Sequence, residues 1–116
     1  MRILIADDHD LLRDTLALFF QAQSDIETYV ASDLPSACKM IENDPPYDLV
    51  LLDLNMPGMN GLSGLKHALS LKGGQRVALL SGEATREVVE QALEVGAAGF
   101  VPKTLPAKSM INAVNP

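Results

Sequence analysis

Along the chain, nearly continuous aliphatic runs alternate with segments whose apolar residues recur every three or four positions. Five runs read as strands: RILIA (2–6), IETYVA (26–31), LVLL (49–52), VALLS (77–81) and AGFVP (98–102). The first, third and fourth are almost wholly aliphatic, the pattern of strands covered on both faces. Between the runs, Leu12, Leu16, Phe19 and Phe20 mark one helical stripe, and Leu34, Ala37, Cys38 and Ile41 a second. Leu62, Leu65 and Leu69 mark a third. Val88, Val89, Ala92 and Leu93 make the fourth, with Gly96 as its stop. Leu105, Ile111 and Val114 suggest a fifth, cut short by the chain end. A β-α unit repeated five times predicts an α/β doubly wound three-layer sandwich on a five-stranded parallel sheet. Parallel strands joined by right-handed crossovers need helices on both faces. No repeat, linker or low-complexity stretch divides the chain, so one domain over 1–116 is expected.

Polar residues break this pattern at corresponding places. Asp7 and Asp8 follow the first strand, Asp53 ends the third, Ser81 ends the fourth and Lys103 follows the fifth. In an open parallel sheet, all of them fall on the rim at the strands' carboxyl ends, where such folds place function. An acid at the lip of a buried strand is costly unless something pairs with it. At about 5 Å and an effective dielectric of about 20, each carboxylate pair costs roughly 3 kcal/mol. A hard divalent cation relieves this repulsion, and Mg²⁺ favours one or two carboxylates, waters and a phosphate oxygen. An all-oxygen set without Cys or His argues against zinc. Lys103 can pair with Asp53 at rest and with an anion during chemistry, and Ser81 can donate to a phosphoryl oxygen. A carboxylate nucleophile, a metal and a lysine together can accept a phosphoryl group. Asp53 is thus placed to be phosphorylated, and the loop with Pro57, Gly58 and Gly61 is expected to let backbone groups approach the metal. Each residue alone would be ordinary in an α/β fold; five on one rim point to chemistry.

Composition narrows the setting. Apolar residues make up 47% and charged residues 21%, a globular balance, while aromatics at 4% require an aliphatic core. No apolar run is long enough to cross a bilayer, and the N-terminus reaches two aspartates before a signal-peptide core could form, so a cytoplasmic chain without membrane contact is expected. The single cysteine, Cys38, excludes an internal disulfide and sits on a helical stripe as a small buried hydrophobe. Net charge is −6 and the nine bases are scattered, so the chain has no basic footprint for nucleic acid.

The stretches ILIADDHDLLRD, DLVLLDLNMPGMNG, VALLSGEA and GAAGFVPKT, in this order and spacing, resemble the receiver domain of bacterial two-component response regulators over essentially the whole chain. The resemblance implies a flavodoxin-like sheet of order 2-1-3-4-5 and a phosphorylatable switch charged by a sensor histidine kinase. It implies Asp53 as phospho-acceptor and a Mg²⁺ site in which Asp8 is a direct ligand and Asp7 acts through water. The Asn55 backbone carbonyl would complete the protein ligands. Ser81 and Phe100 would be the switch pair and Lys103 the phosphate contact. A regulatory domain capable only of self-phosphorylation and slow autodephosphorylation is implied, not a turnover enzyme. The DDHDLLR opening and GFVPK ending resemble the branch with a C-terminal helix-turn-helix output domain. DNA would then be met only through an output domain absent from this chain, which would be the N-terminal part of a longer one. A phosphorylation-dependent homodimer is expected, through helix 4, strand 5 and helix 5, or alternatively helices 1 and 5. Thr104 stands where the family often has proline, Pro102 precedes the lysine, and Asn60 replaces a frequent aspartate. Pro102 is tolerable if strand 5 lies at an edge.

Two other readings compete. A haloacid-dehalogenase-type phosphatase also uses a strand-end Asp with Mg²⁺, but needs an acid two residues on, where this chain has Asn55. A receiver that binds partners without phosphorylation is the other, and it is disfavoured because every required residue is present. His9 either contacts the site or faces solvent at a helix start, and His67 is expected at the surface. Met56 and Met59 either face a partner or fill space.

Overall fold

Each nearly continuous aliphatic run forms a strand because only a position between two helical layers buries both of its faces. The computed structural model describes residues 1–23, 25–71 and 76–114. Its elements are β1 (Arg2–Ala6), α1 (Asp10–Gln21), β2 (Glu27–Ala31), α2 (Leu34–Asn43) and β3 (Leu49–Asp53), then α3 (Leu62–Ser70), β4 (Arg76–Ser81), α4 (Arg86–Val95), β5 (Gly99–Pro102) and α5 (Ala107–Val114). The sheet is parallel throughout, in the order β2-β1-β3-β4-β5. Strand order reverses between β1 and β3, which opens a crevice above their carboxyl ends. β2 and β5 start one residue later than the sequence pattern suggests, and β4 one earlier. β3 runs one residue further, so Asp53 still sits in the ladder opposite Leu80.

Alternation along the strands sorts the core into two layers. Leu4, Ala6, Val50, Leu52, Val77 and Leu79 face α2, α3 and α4, while Ile3, Ile5, Leu49, Leu51, Leu80 and Val101 face α1 and α5. The α2 stripe is buried as its spacing predicts. In α1, however, Phe19 is 47% exposed, and Arg13 and Ala17 join Leu16 and Phe20 on the buried face. Leu93 of α4 is likewise 49% exposed, and Ala92 is the one α4 residue fully buried. In both cases the apolar stripe is wider than the strip of sheet available to cover it. Met110 anchors α5; Leu105 is half-buried, and the side chains of Ile111 and Val114 lie outside the described residues.

Local signals bound the helices. The Asp33 carboxylate accepts from Ser36 N–H at 2.8 Å, the Thr85 hydroxyl accepts from Val88 N–H at 3.2 Å, and Gly96 closes α4 at φ 122°. Pro102 occupies edge strand β5, where a missing N–H is tolerated. Met56 and Met59 are 2% and 1% exposed and so fill space, while His67 is exposed. At the amino-terminal end of the sheet, the Arg2 guanidinium lies 4.6 Å from the Tyr29 ring and 5.0 Å from the Tyr47 ring. It also pairs with Glu27 at 3.0 Å, closing the end opposite the rim. Among the described residues, no helix is long and apolar enough to cross a membrane.

Candidate functional site

β1 delivers Asp7 to the crevice and buries it completely, while Asp8, one residue on, is exposed. Asp7 N–H donates to the Ala31 carbonyl at 3.0 Å, extending the ladder by one bond. The His9 N–H donates to Asp7 Oδ1 at 2.9 Å, which orients the carboxylate. β3 delivers Asp53, 2% exposed, whose Oδ1 accepts from Asn55 N–H at 3.2 Å. One carboxylate oxygen from each of Asp7, Asp8 and Asp53 lies within 4.8 Å of the others.

Lys103 answers the repulsion this creates. Its ammonium lies 3.1 Å from Asp7 Oδ2 and 3.2 Å from Asp53 Oδ2. The sequence pattern anticipates the pair with Asp53; the structure adds Asp7. Lys103 N–H donates to the Ser81 carbonyl at 2.9 Å, so the β4–β5 ladder fixes where the ammonium can reach. Burial by itself would lower the Lys103 pKa, but the hydrogen bond its ammonium donates to Asp7 and the charges of Asp53 and Asp7 outweigh it and raise the value above 10.5. The cluster still carries a formal surplus of two negative charges. Asp7 Oδ2 is buried with only its ion pair and no hydrogen bond. Hard oxygen donors, surplus negative charge and an under-satisfied buried carboxylate fit a divalent cation of the Mg²⁺ type.

A cleft of about 260 Å³ gives access, lined by Asp8, His9, Asp53, Asn55, Gly82, Glu83 and Lys103. His9 is both exposed at the start of α1 and part of this rim. Ser81 is 1% exposed, behind the wall, and its hydroxyl accepts from Glu83 N–H at 3.2 Å. Phe100 stands apart, half-buried on β5 and packed against the layer beneath α2, α3 and α4. The structure thus gathers Asp7, Asp8, Asp53, Asn55 and Lys103 at one point, with Ser81 adjoining and Phe100 outside.

The loop after β3 is held by its own backbone and by α2. Gly58, at φ 91°, packs against α2: a Cβ there would meet Pro35 Cδ at 2.9 Å. Leu34 N–H also donates to the Pro57 carbonyl at 3.0 Å. Asn60 adopts φ 49°, a left-handed conformation that Asn tolerates, and Gly61 caps α3 at φ 66°. Pro57 and Gly58 thus dock the loop on α2. Arg13, Gly82 and Glu83 were not legible as site residues. The signal for Arg13 is a cation at an inward position of α1, between Asp10 and Asp14.

Residues 3–115 match the response regulator receiver domain family. The chain is similar to a glycerol metabolism activator of Pseudomonas putida, 39% identical across 97% of this chain and 52% of that protein. It spans about half the length of the curated relatives it matches. Among solved structures, it is similar to a LuxR-family DNA-binding response regulator from Silicibacter pomeroyi. There the TM-score is 0.85 and identity 33%, over 98% of this chain and 88% of that one. A CheY-like receiver domain protein from Methanospirillum hungatei JF-1 superposes with a TM-score of 0.87 at 26% identity, over 97% and 89% of the two chains.

Proposed function

The chain belongs to the response regulator receiver domain family, and on that premise we propose that Asp53 is its phospho-acceptor, charged by the phosphohistidine of a sensor histidine kinase. The observation that carries this is the convergence of three carboxylates and one lysine on the rim, with Asp53 open to the cleft. Asp8 and Asp53 would hold Mg²⁺ directly, Asp7 through water, and Asn55 through its backbone carbonyl. When bound, Mg²⁺ neutralises charge that builds on the transferring phosphoryl oxygens.

The side chains do the rest. An Asp53 carboxylate oxygen forms the new bond to phosphorus as the donor's P–N bond breaks, and the imidazole nitrogen keeps that electron pair. Lys103 shifts from the carboxylates to a phosphoryl oxygen. The Ser81 hydroxyl, which accepts from Glu83 N–H at rest, retains a proton to donate to a second oxygen. Ser81 and Phe100 then act as the switch pair. The domain is regulatory, limited to self-phosphorylation and slow autodephosphorylation. A phosphatase reading lacks its second acid, since Asn55 stands two residues after Asp53. In a cytoplasmic setting, the phosphorylated form would homodimerise and control transcription through an output domain outside this chain.

The test is mass gain from acetyl phosphate in the presence of Mg²⁺. The wild-type chain should form a hydroxylamine-sensitive acyl phosphate, and Asp53→Asn should form none. Full labelling of that variant would sink the assignment.

A further inference from the structure

Arg13 is only 9% exposed, on the face of α1 that buries Leu16, Ala17 and Phe20. A buried guanidinium is costly unless it is paired and hydrogen-bonded. Nη1 donates to the Asp7 carbonyl at 3.2 Å and to Ser32 Oγ at 2.9 Å. It also pairs with Asp10 at 2.9 Å, and Nε pairs with Asp14 at 3.0 Å. The Asp7 carbonyl belongs to the peptide plane that joins Asp7 to Asp8. Fixing that plane fixes the direction in which Asp8 leaves the backbone.

We propose that Arg13 is a positioning residue: through the Asp7 carbonyl it holds the turn that aims Asp7 and Asp8 at one point beside Asp53, and so sets divalent-cation affinity. The inference rests on reading that rim as a Mg²⁺ site. The neighbouring acids explain why a cation can serve here. A free guanidinium under a metal site would repel the metal, but Asp10 and Asp14 on the exposed side of α1 more than offset its charge. What reaches the rim is hydrogen-bond direction without net positive field. Ser32, in the turn after β2, provides the far anchor. Lysine could supply the charge, but one ammonium nitrogen cannot reproduce contacts made from both Nη1 and Nε.

The experiment is calorimetric Mg²⁺ titration of the 116-residue chain and of Arg13→Gln, Arg13→Lys, Ser32→Ala and Arg2→Gln, with amide NMR of residues 7–9. Both Arg13 variants should bind Mg²⁺ about tenfold more weakly or worse, the size expected for partners that orient metal ligands. Their amide signals at 7–9 should move before metal is added. Ser32→Ala should lose roughly threefold, since it removes one anchor of the guanidinium while the contact to the Asp7 carbonyl remains. Arg2→Gln, which breaks a comparable arginine network at the opposite end of the sheet, should lose stability without losing affinity. Unchanged affinity in folded Arg13 variants overturns the inference while the Mg²⁺ reading stands. Should those variants fail to fold, unchanged affinity in Ser32→Ala overturns it equally. A wild-type chain that binds no Mg²⁺ overturns both.

Discussion

Lys103 Nζ sits 3.1 Å from Asp7 and 3.2 Å from Asp53, two carboxylates that are almost entirely buried. Its raised pKa keeps it protonated across the neutral range. A raised value means that its stabilisation is complete below 10.5 and is lost only as pH climbs through the higher folded value. Removing the ammonium leaves buried charge without a partner, which costs about 3 kcal/mol. Lys103→Met should therefore lower metal-free stability by about that amount in urea unfolding at pH 7. Saturating Mg²⁺ should recover more stability in this variant than in wild type, because it meets an acid cluster that nothing else neutralises. Equal recovery in both proteins would mean that lysine and metal do not answer the same repulsion. The acids, Ser81 and Lys103 were legible because each interrupts or ends an apolar run. Arg13 was not, since an arginine between acids on an amphipathic helix has the look of a solvated face. Only the tertiary path from its guanidinium to the Asp7 carbonyl reveals its place.

At the scale of elements, hydrophobic period was enough to place every strand and helix. Burial on two faces makes a strand's pattern nearly unambiguous. Helix faces were less legible: Phe19 and Leu93 fit their stripes yet stay exposed, because periodicity cannot state how much sheet lies beneath a helix. In the β3–α3 loop, Gly58 likewise serves a contact distant in sequence, against Pro35 of α2, which no local pattern announces. Gly64 shows the same physics inside a helix. A Cβ there would lie 2.6 Å from the Met59 carbonyl oxygen and 2.8 Å from Met59 Cα. Those atoms are backbone and cannot swing away, and Gly64 N–H donates to that same carbonyl at 2.7 Å. Alanine would gain about 1 kcal/mol of helix propensity. The clash opposes it at up to about 3 kcal/mol. Gly64→Ala should be destabilising by about 2 kcal/mol in urea unfolding, against propensity. A stabilised variant would show that α3 can lift from the loop without cost.

For the molecule as a whole, the question is how charge arriving at Asp53, the proposed phospho-acceptor, would reach a surface. A phosphoryl group brings about −1.5 to −2 charges and strong acceptor oxygens. Lys103 and Ser81 are the nearby donors, and the two are already coupled, since Lys103 N–H donates to the Ser81 carbonyl. A shift of Ser81 toward the phosphoryl group would release Glu83 N–H and loosen the chain entering α4. That helix is poorly tied down, with Ala92 its one fully buried residue. Few buried contacts mean a low cost of displacement. Phe100 is half-buried against the same layer and, as the proposed switch partner of Ser81, would turn further inward. Having no hydroxyl to satisfy, its ring needs no polar partner there. Both arrangements would pre-exist, with phosphorylation shifting their balance. By contrast, α2 and α3 bury several residues each and should hold still. Hydrogen exchange with and without beryllofluoride and Mg²⁺ tests this directly. Protection should change across residues 84–104 and stay constant in α2 and α3. If beryllofluoride occupies Asp53 while 84–104 exchanges as before, the signal leaves the rim by another route and α4 is not the moving part.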